Sequence, residues 1–282
     1  MNNRDLLEGA WDLHLHAGPD VIPRIQNADE VLADAAAAGM AGIGLKDHCG
    51  STAALAKVLE KPGGPRVIGS LTLNPPAGGL NPYAVETAFR QGARILWFPT
   101  YSTQRHLDIL GPSPFPMPEG QGLTLLDPAG ALLPEVLEIL KLVAEHDGIL
   151  STGHLHPEES VALFRKARNL GVKRMVLTHA TLNVTAMDLD LQREVVSLGA
   201  WVEHCMLSLT ERCRSLAEEE MVGQILELGP EHCFLTSDLG SVDNGPVVAG
   251  FADWLERLAQ AGCPEEALRQ MITANPEKLL FG

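Results

Sequence analysis

The chain has 282 residues, 45% of them apolar and 20% charged, which fits a soluble globular protein with a large core. A net charge of −15 repels phosphate backbones and argues against nucleic-acid binding, and no run approaches the ~20 apolar residues that span a bilayer. The five cysteines are odd in number and form no Cys-x-x-Cys, so neither a disulfide framework nor a thiolate zinc knuckle is expected; the start, Met-Asn-Asn-Arg-Asp-Leu-Leu-Glu, has no apolar signal segment, and a cytoplasmic location is expected.

Residues 11–16 read Trp-Asp-Leu-His-Leu-His, a strand pattern that puts His14 and His16 on one side and predicts Leu13 and Leu15 on the opposite, helix-covered side. Further short apolar runs follow at 41–45, 66–73, 94–98, 148–152, 174–178, 200–204 and 233–237, making eight candidate strands, nearly continuous in apolar residues as for parallel strands covered on both faces. Between them, helical patterns are predicted over 29–38, 134–146, 157–170, 188–198, 218–228, 246–261 and 265–273. Pro134 and Pro157 open two of these and Gly39 and Gly171 close two. Repeated β-then-α units with no linker predict an α/β fold, a single-domain (β/α)₈ TIM barrel over 1–282. The runner-up, an open doubly wound sheet, lacks its Gly-rich phosphate turn after the first strand. One connection, from Pro99 to Leu133, is long and proline-rich; a lid or insertion is expected at 101–133, with a small hairpin near 123–130.

In such a barrel the C-terminal strand ends converge on one face. They carry Asp12, His14 and His16 from the first strand, and Lys46, Asp47 and His48 from the second. Asn74 follows the third strand and Thr100 and Tyr101 the fourth. The fifth to eighth give His154, His179, Glu203 with His204, and Asp238. Seven of the ten histidines lie at or beside these ends, while His106, His146 and His232 read as ordinary loop or helix residues. Each histidine alone would more often be structural; their joint placement points to a metal centre.

This pattern resembles the amidohydrolase superfamily of metal-dependent hydrolases: His-x-His on strand one, single histidines ending strands five and six, an aspartate ending strand eight, and a closing segment Met271–Gly282 of the superfamily's type. The resemblance implies a divalent metal, Zn²⁺ first with Mn²⁺ or Fe²⁺ as alternatives, activating water for attack on an amide, ester, lactone or related bond. It makes His14, His16, His154, His179 and Asp238 metal ligands, with Asp238 also taking a proton from water and His179 either serving a second metal or polarising substrate. The fourth strand, Arg-Ile-Leu-Trp-Phe-Pro-Thr, departs from the superfamily in lacking the bridging lysine or glutamate of two-metal members, which favours one metal. Lys46 on strand two is an unusual substitute: a carbamate, a cation facing an anionic substrate, or an ion-pair partner of Asp47.

Lys46-Asp47-His48 also resembles the polymerase-and-histidinol-phosphatase type of phosphoesterase, which would add His48 to the metal set and make the substrate a phosphate ester. A metal-dependent decarboxylase and a non-catalytic metal- or ligand-binding barrel are further readings. Asp238, His179 and Lys46 are the catalytic candidates; His204, Tyr101 and Asn74 are the substrate-binding candidates, with only one of Glu203 and His204 able to face the interior. Arg24 and Arg105 lie in loops after strands one and four, where an arginine can hold a substrate carboxylate or phosphate, but surface solvation is the role expected of them. The partner expected is a small-molecule substrate, with no nucleic acid or membrane, and assembly into a homo-oligomer through the barrel helices is compatible with the sequence.

Overall fold

The computed structural model describes residues 6–115, 117, 122–210 and 213–282. The strands are β1 (Trp11–Leu15), β2 (Gly42–Leu45), β3 (Arg66–Thr72), β4 (Ala93–Trp97), β5 (Ile149–Ser151), β6 (Arg174–Leu177), β7 (Ala200–Cys205) and β8 (Cys233–Thr236). They pair in parallel, in sequence order. The ends of the sheet meet: the Asp238 N–H donates to the His14 carbonyl at 2.8 Å and the His16 N–H to the Leu239 carbonyl at 2.8 Å. The result is the expected (β/α)₈ barrel.

Helices α1 (Ala28–Ala37), α2 (Ala53–Leu59), α3 (Pro82–Gln91), α4 (Gln104–Leu110), α5 (Pro134–Glu145), α6 (Pro157–Asn169), α7 (Leu189–Ser197), α8 (Glu218–Leu228), α9 (Val247–Gln260), α10 (Glu265–Ile272) and α11 (Ala274–Phe281) surround it. Four of these, α2, α3, α4 and α11, are not foreseen as helices in the sequence. The first has only seven residues, too short to show an apolar period, whereas α3 is marked by Asn81 and Pro82 at its start and Gly92 at its end. Among the described residues, no helix is long and apolar enough to cross a membrane.

Two cores result. The larger lies between strands and helices; the smaller joins Trp11, Leu13, Ile68, Ile95, Trp97, Ile149, Val176 and Phe234 inside the barrel, with Leu279 and Leu280 of α11 plugging its base. Leu15 is in the outer core as expected, but Leu13 is in the inner one. The reason is a register irregularity in β1 between Asp12 and Leu15, which breaks strict alternation so that Leu13 and the histidines after it both face inward. In the long connection, Thr103 caps α4 by accepting the His106 N–H at 3.0 Å, and Leu126 bridges Leu132 antiparallel where the hairpin is expected.

Candidate metal centre

Three imidazoles converge on one carboxylate at the barrel mouth. His14 Nε2 is 3.1 Å and His16 Nε2 3.0 Å from Asp238 Oδ1, and His179 Nε2 is 3.4 Å from Asp238 Oδ2. All four side chains are nearly inaccessible. Their far ring nitrogens are held in turn: His14 Nδ1 by Glu203 at 2.8 Å, His16 Nδ1 by the Lys46 carbonyl at 2.8 Å, and His179 Nδ1 by Cys205 Sγ at 3.0 Å. Among the described residues the compact sets of donor atoms, each within 4.8 Å of one another, are His14–His16–Asp238, His14–His179–Glu203 and His179–Cys205–Asp238.

The backbone is bent to make this possible. His179 and Asp238, each just past a strand end, have left-handed φ of 50°. That conformation costs a non-glycine residue of order 1–3 kcal/mol and persists only where the surroundings enforce it. Here Thr185 Oγ1 bonds the His179 carbonyl and the Asp238 N–H is tied to β1. Beyond them, Gly240 has φ 118°, and a Cβ there would stand 1.8 Å from the His16 carbonyl oxygen, so the seam tolerates no side chain.

The electrostatics follow from the partners. Burial alone would raise the Asp238 and Glu203 carboxyls, but the imidazoles around them win: Asp238 is held well below the usual carboxylate range, chiefly by His14, and Glu203 falls to about 2. His16 is lowered to about 3 by burial, with the Arg24 charge adding, and burial lowers His179 to about 4. Burial disfavours the charged form of His14 too, yet Asp238 and Glu203 together hold it above its ordinary value. Lys46 Nζ lies 2.8 Å from His14 Nε2 and 4.5 Å from the centroid of Trp97, the residue β4 contributes here; burial pushes its pKa down.

The other side of the mouth is aromatic. His48 stacks on His16 with ring centroids 4.6 Å apart, and its Nδ1 is 3.0 Å from Thr100 Oγ1. His154 Nδ1 meets His106 Nδ1 at 2.9 Å. Tyr101 stands edge-on between them, 4.5 Å from His48 and 4.7 Å from His106. Gly153 precedes His154 at φ 61°, where a Cβ would be 2.2 Å from the Phe98 carbonyl oxygen.

Several of the expected site residues stand apart from the cluster or face away from it. His154 and His48 belong to none of the compact donor sets: the first is turned to His106 and the second to Thr100. Asn74 does not line the cavity; its amide bonds the His48 carbonyl, Thr100 Oγ1, the Thr100 N–H and Ser102 Oγ, which uses its hydrogen-bonding capacity to pin two loops. Glu203, not His204, faces the interior; His204 is on the other face of β7, with both ring nitrogens buried and lacking a hydrogen-bond partner. Arg24 is not a solvated surface group: it pairs with Asp20 at 2.6 Å and donates to Ser241 Oγ at 3.0 Å. Arg105 donates to the Val184 carbonyl. The sequence reading passed over Cys205 and His106. Cys205 shares the parity of Glu203 on β7, a usable signal; His106, on a short helix within the long connection, offers none.

Above the centre is a cavity of about 940 Å³ lined by His16, Lys46, His48, His154 and Asp238 at its floor and by Tyr101, His106 and Phe115 from the long connection. That is the size of a small-molecule site.

Comparison with solved structures gives the same barrel. An amidohydrolase from Pseudomonas aeruginosa superposes with a TM-score of 0.67 at 12% identity, covering 99% of this chain and 98% of that one. A TatD homologue from Escherichia coli gives 0.61 at 16%, covering 97% and 98%. A mutant organophosphorus hydrolase gives 0.62 at 15%, covering 98% and 94%. At such identities the likeness is one of fold. No curated protein matches the chain. Residues 9–203 match a sequence family described as a family of unknown function, DUF6282. The chain, built on the barrel of the amidohydrolase-type proteins, thus belongs to the DUF6282 family.

Proposed function

We propose that this protein is a metal-dependent hydrolase of small molecules, directing water at an amide, ester, lactone or related bond. The observation that carries the reading is the contact between His16 and Asp238. The Nδ1 of His16 meets a backbone carbonyl, which only accepts, so the ring proton sits there. The ring is neutral, and its bare Nε2 lone pair therefore points at an ionised carboxylate oxygen 3.0 Å away. Two acceptors that close, buried, repel unless a cation lies between them. Lys46 reaches His14, but His179 Nε2 is left buried without a hydrogen-bond partner. The residues fit a metal ion.

His14, His16, His179 and Asp238 would hold it. Neutral imidazoles with one carboxylate suit Zn²⁺, with Mn²⁺ or Fe²⁺ as alternatives. A divalent ion at such a site lowers the pKa of water from ~15.7 towards ~7. The protein's own groups do the rest. Asp238 accepts the proton of the attacking water and returns it to the leaving group. Lys46 offsets negative charge developing on the bond under attack. Glu203 holds His14 in one tautomer. Tyr101 and the wall of the long connection enclose the substrate, so the described residues of segment 101–133 act as a lid over the single barrel domain, with 116 and 118–121 lying outside the described residues. Cys205, Cys233 and Cys263 are buried thiols outside any disulfide, in keeping with a reducing, cytoplasmic setting.

Elemental analysis of protein purified without chelator tests the reading: about one equivalent of divalent metal per chain is expected, lost in His16→Ala. Metal-free wild-type protein that takes up no added zinc, or equal metal in the variant, would overturn it. The phosphoesterase alternative needs His48 among the ligands, and no contact of His48 favours that.

A further inference from the structure

We infer that the substrate of this site is an uncharged ester, amide or lactone carrying an apolar body, and that the loops after β1, β4, β6 and β7 hold that body. The inference rests on the hydrolase reading and adds what it leaves open, the chemistry of the rest of the substrate.

The cavity has two levels. Its floor is the imidazole and carboxylate cluster. Above it the wall turns apolar: Val21 and Pro23 from the loop after β1, Leu110 and Phe115 from the long connection, Leu182 after β6 and Leu207 after β7. Val21 is 71% and Leu110 44% exposed, although large apolar side chains are normally withdrawn from water. Both line the cavity, so their exposed surface belongs to the path into the site. An apolar body lying there removes that surface from water together with its own.

Charge selects in the same direction. Among the described residues the cavity is lined by two cations, Arg24 and Lys46. Arg24 pairs with Asp20 and donates to Ser241, and Lys46 lies on the floor beside His14. Among the described residues, a carboxylate or phosphate on the distal part of a substrate would compete with Asp20 for Arg24, and it would face a protein of net charge −15. The described wall therefore favours a hydrocarbon over an anion.

The test is a series of p-nitrophenyl esters, acetate to octanoate, with monosuccinate as the anionic member, assayed on zinc-loaded protein with Asp238→Asn as the background control. We expect kcat/KM to rise roughly twofold or more per added methylene, mainly through KM, as apolar burial predicts. Monosuccinate should fall well below the uncharged ester of equal length. Leu110→Asp and Val21→Lys, at exposed positions where folding is readily checked by circular dichroism, should each lower the octanoate-to-acetate ratio about fivefold or more. Turnover that is flat in chain length, that favours monosuccinate, or whose chain-length ratio survives both substitutions overturns the inference and leaves the hydrolase reading standing. So does a finding that the apolar rim is buried in a dimer in solution. Absence of Asp238-dependent turnover across the whole series overturns both.

Discussion

On the side of the mouth built by β6, β7, β8 and β1, each imidazole faces a carboxylate: His14 lies between Asp238 and Glu203, and His16 and His179 both address Asp238. On the side built by β2, β4 and β5 the same residue type faces other rings. His106 meets His154, and His48 stacks on His16 and abuts Tyr101. One side collects negative charge and lone pairs and so calls for a cation. The other is neutral, flat and apolar and so suits the organic part of a ligand. A histidine at a strand end thus says little by itself; its partner decides whether it serves a metal or a substrate.

Substitutions on the two sides should separate accordingly. The largest effect is expected from His16→Ala, which should abolish metal binding and reduce turnover roughly 10⁴-fold, to background, measured by metal content and by hydrolysis of a reactive ester. Asp238→Asn removes the proton acceptor and should cost about 10²–10⁴-fold in kcat. Glu203→Gln leaves His14 without its anionic partner and should weaken metal affinity about 10- to 100-fold, read by competition with a chromogenic chelator. The smallest effect is expected across the mouth: His106→Phe should keep full metal content and change kcat/KM by about tenfold or less, with the loss in KM. If His106→Phe empties the metal site, or Glu203→Gln does not weaken it, the two sides do not divide the work as stated.

Acid should act on both sides. His106, His16 and His179 are held near 4, 3 and 4, below the ordinary 6.5, mainly by burial. The unfolded chain therefore binds these protons first as pH falls, and stability present above about 6.5 is lost progressively towards pH 4. His14, held above its ordinary value by its two carboxylates, works in the opposite sense. We expect the chelator-treated protein to melt roughly 5–10 °C lower at pH 4.5 than at pH 7 by calorimetry. A melting temperature unchanged over that range would mean the rings are not neutral in the folded state.

The barrel was legible because eight apolar runs alternate with amphipathic ones, and the strand-end histidines because β ends converge in that fold. The partners were not. Whether Glu203 or His204 points inward depends on the phase of β7, which both readings of the run satisfy equally. The irregularity in β1 that turns Leu13 inward leaves no mark in the composition of Trp-Asp-Leu-His-Leu-His. Asn74 looked like a binding group because it ends a strand, yet its amide is consumed by four loop contacts that only the folded chain creates. His106 reaches the mouth only because Thr103 starts a helix at that point of the long connection.

The backbone bonds that join β1 to β8 are made by the very residues that converge at the mouth: His14 and His16 on one edge, Asp238 and Leu239 on the other. During synthesis the first histidines emerge more than two hundred residues before the aspartate that completes their set. A ribosome-bound chain has every ring of the cluster in hand well before it can grip an ion with them. Under the proposed reading, one residue, Asp238, would both complete the ligand set and help seal the cylinder through its bond to β1.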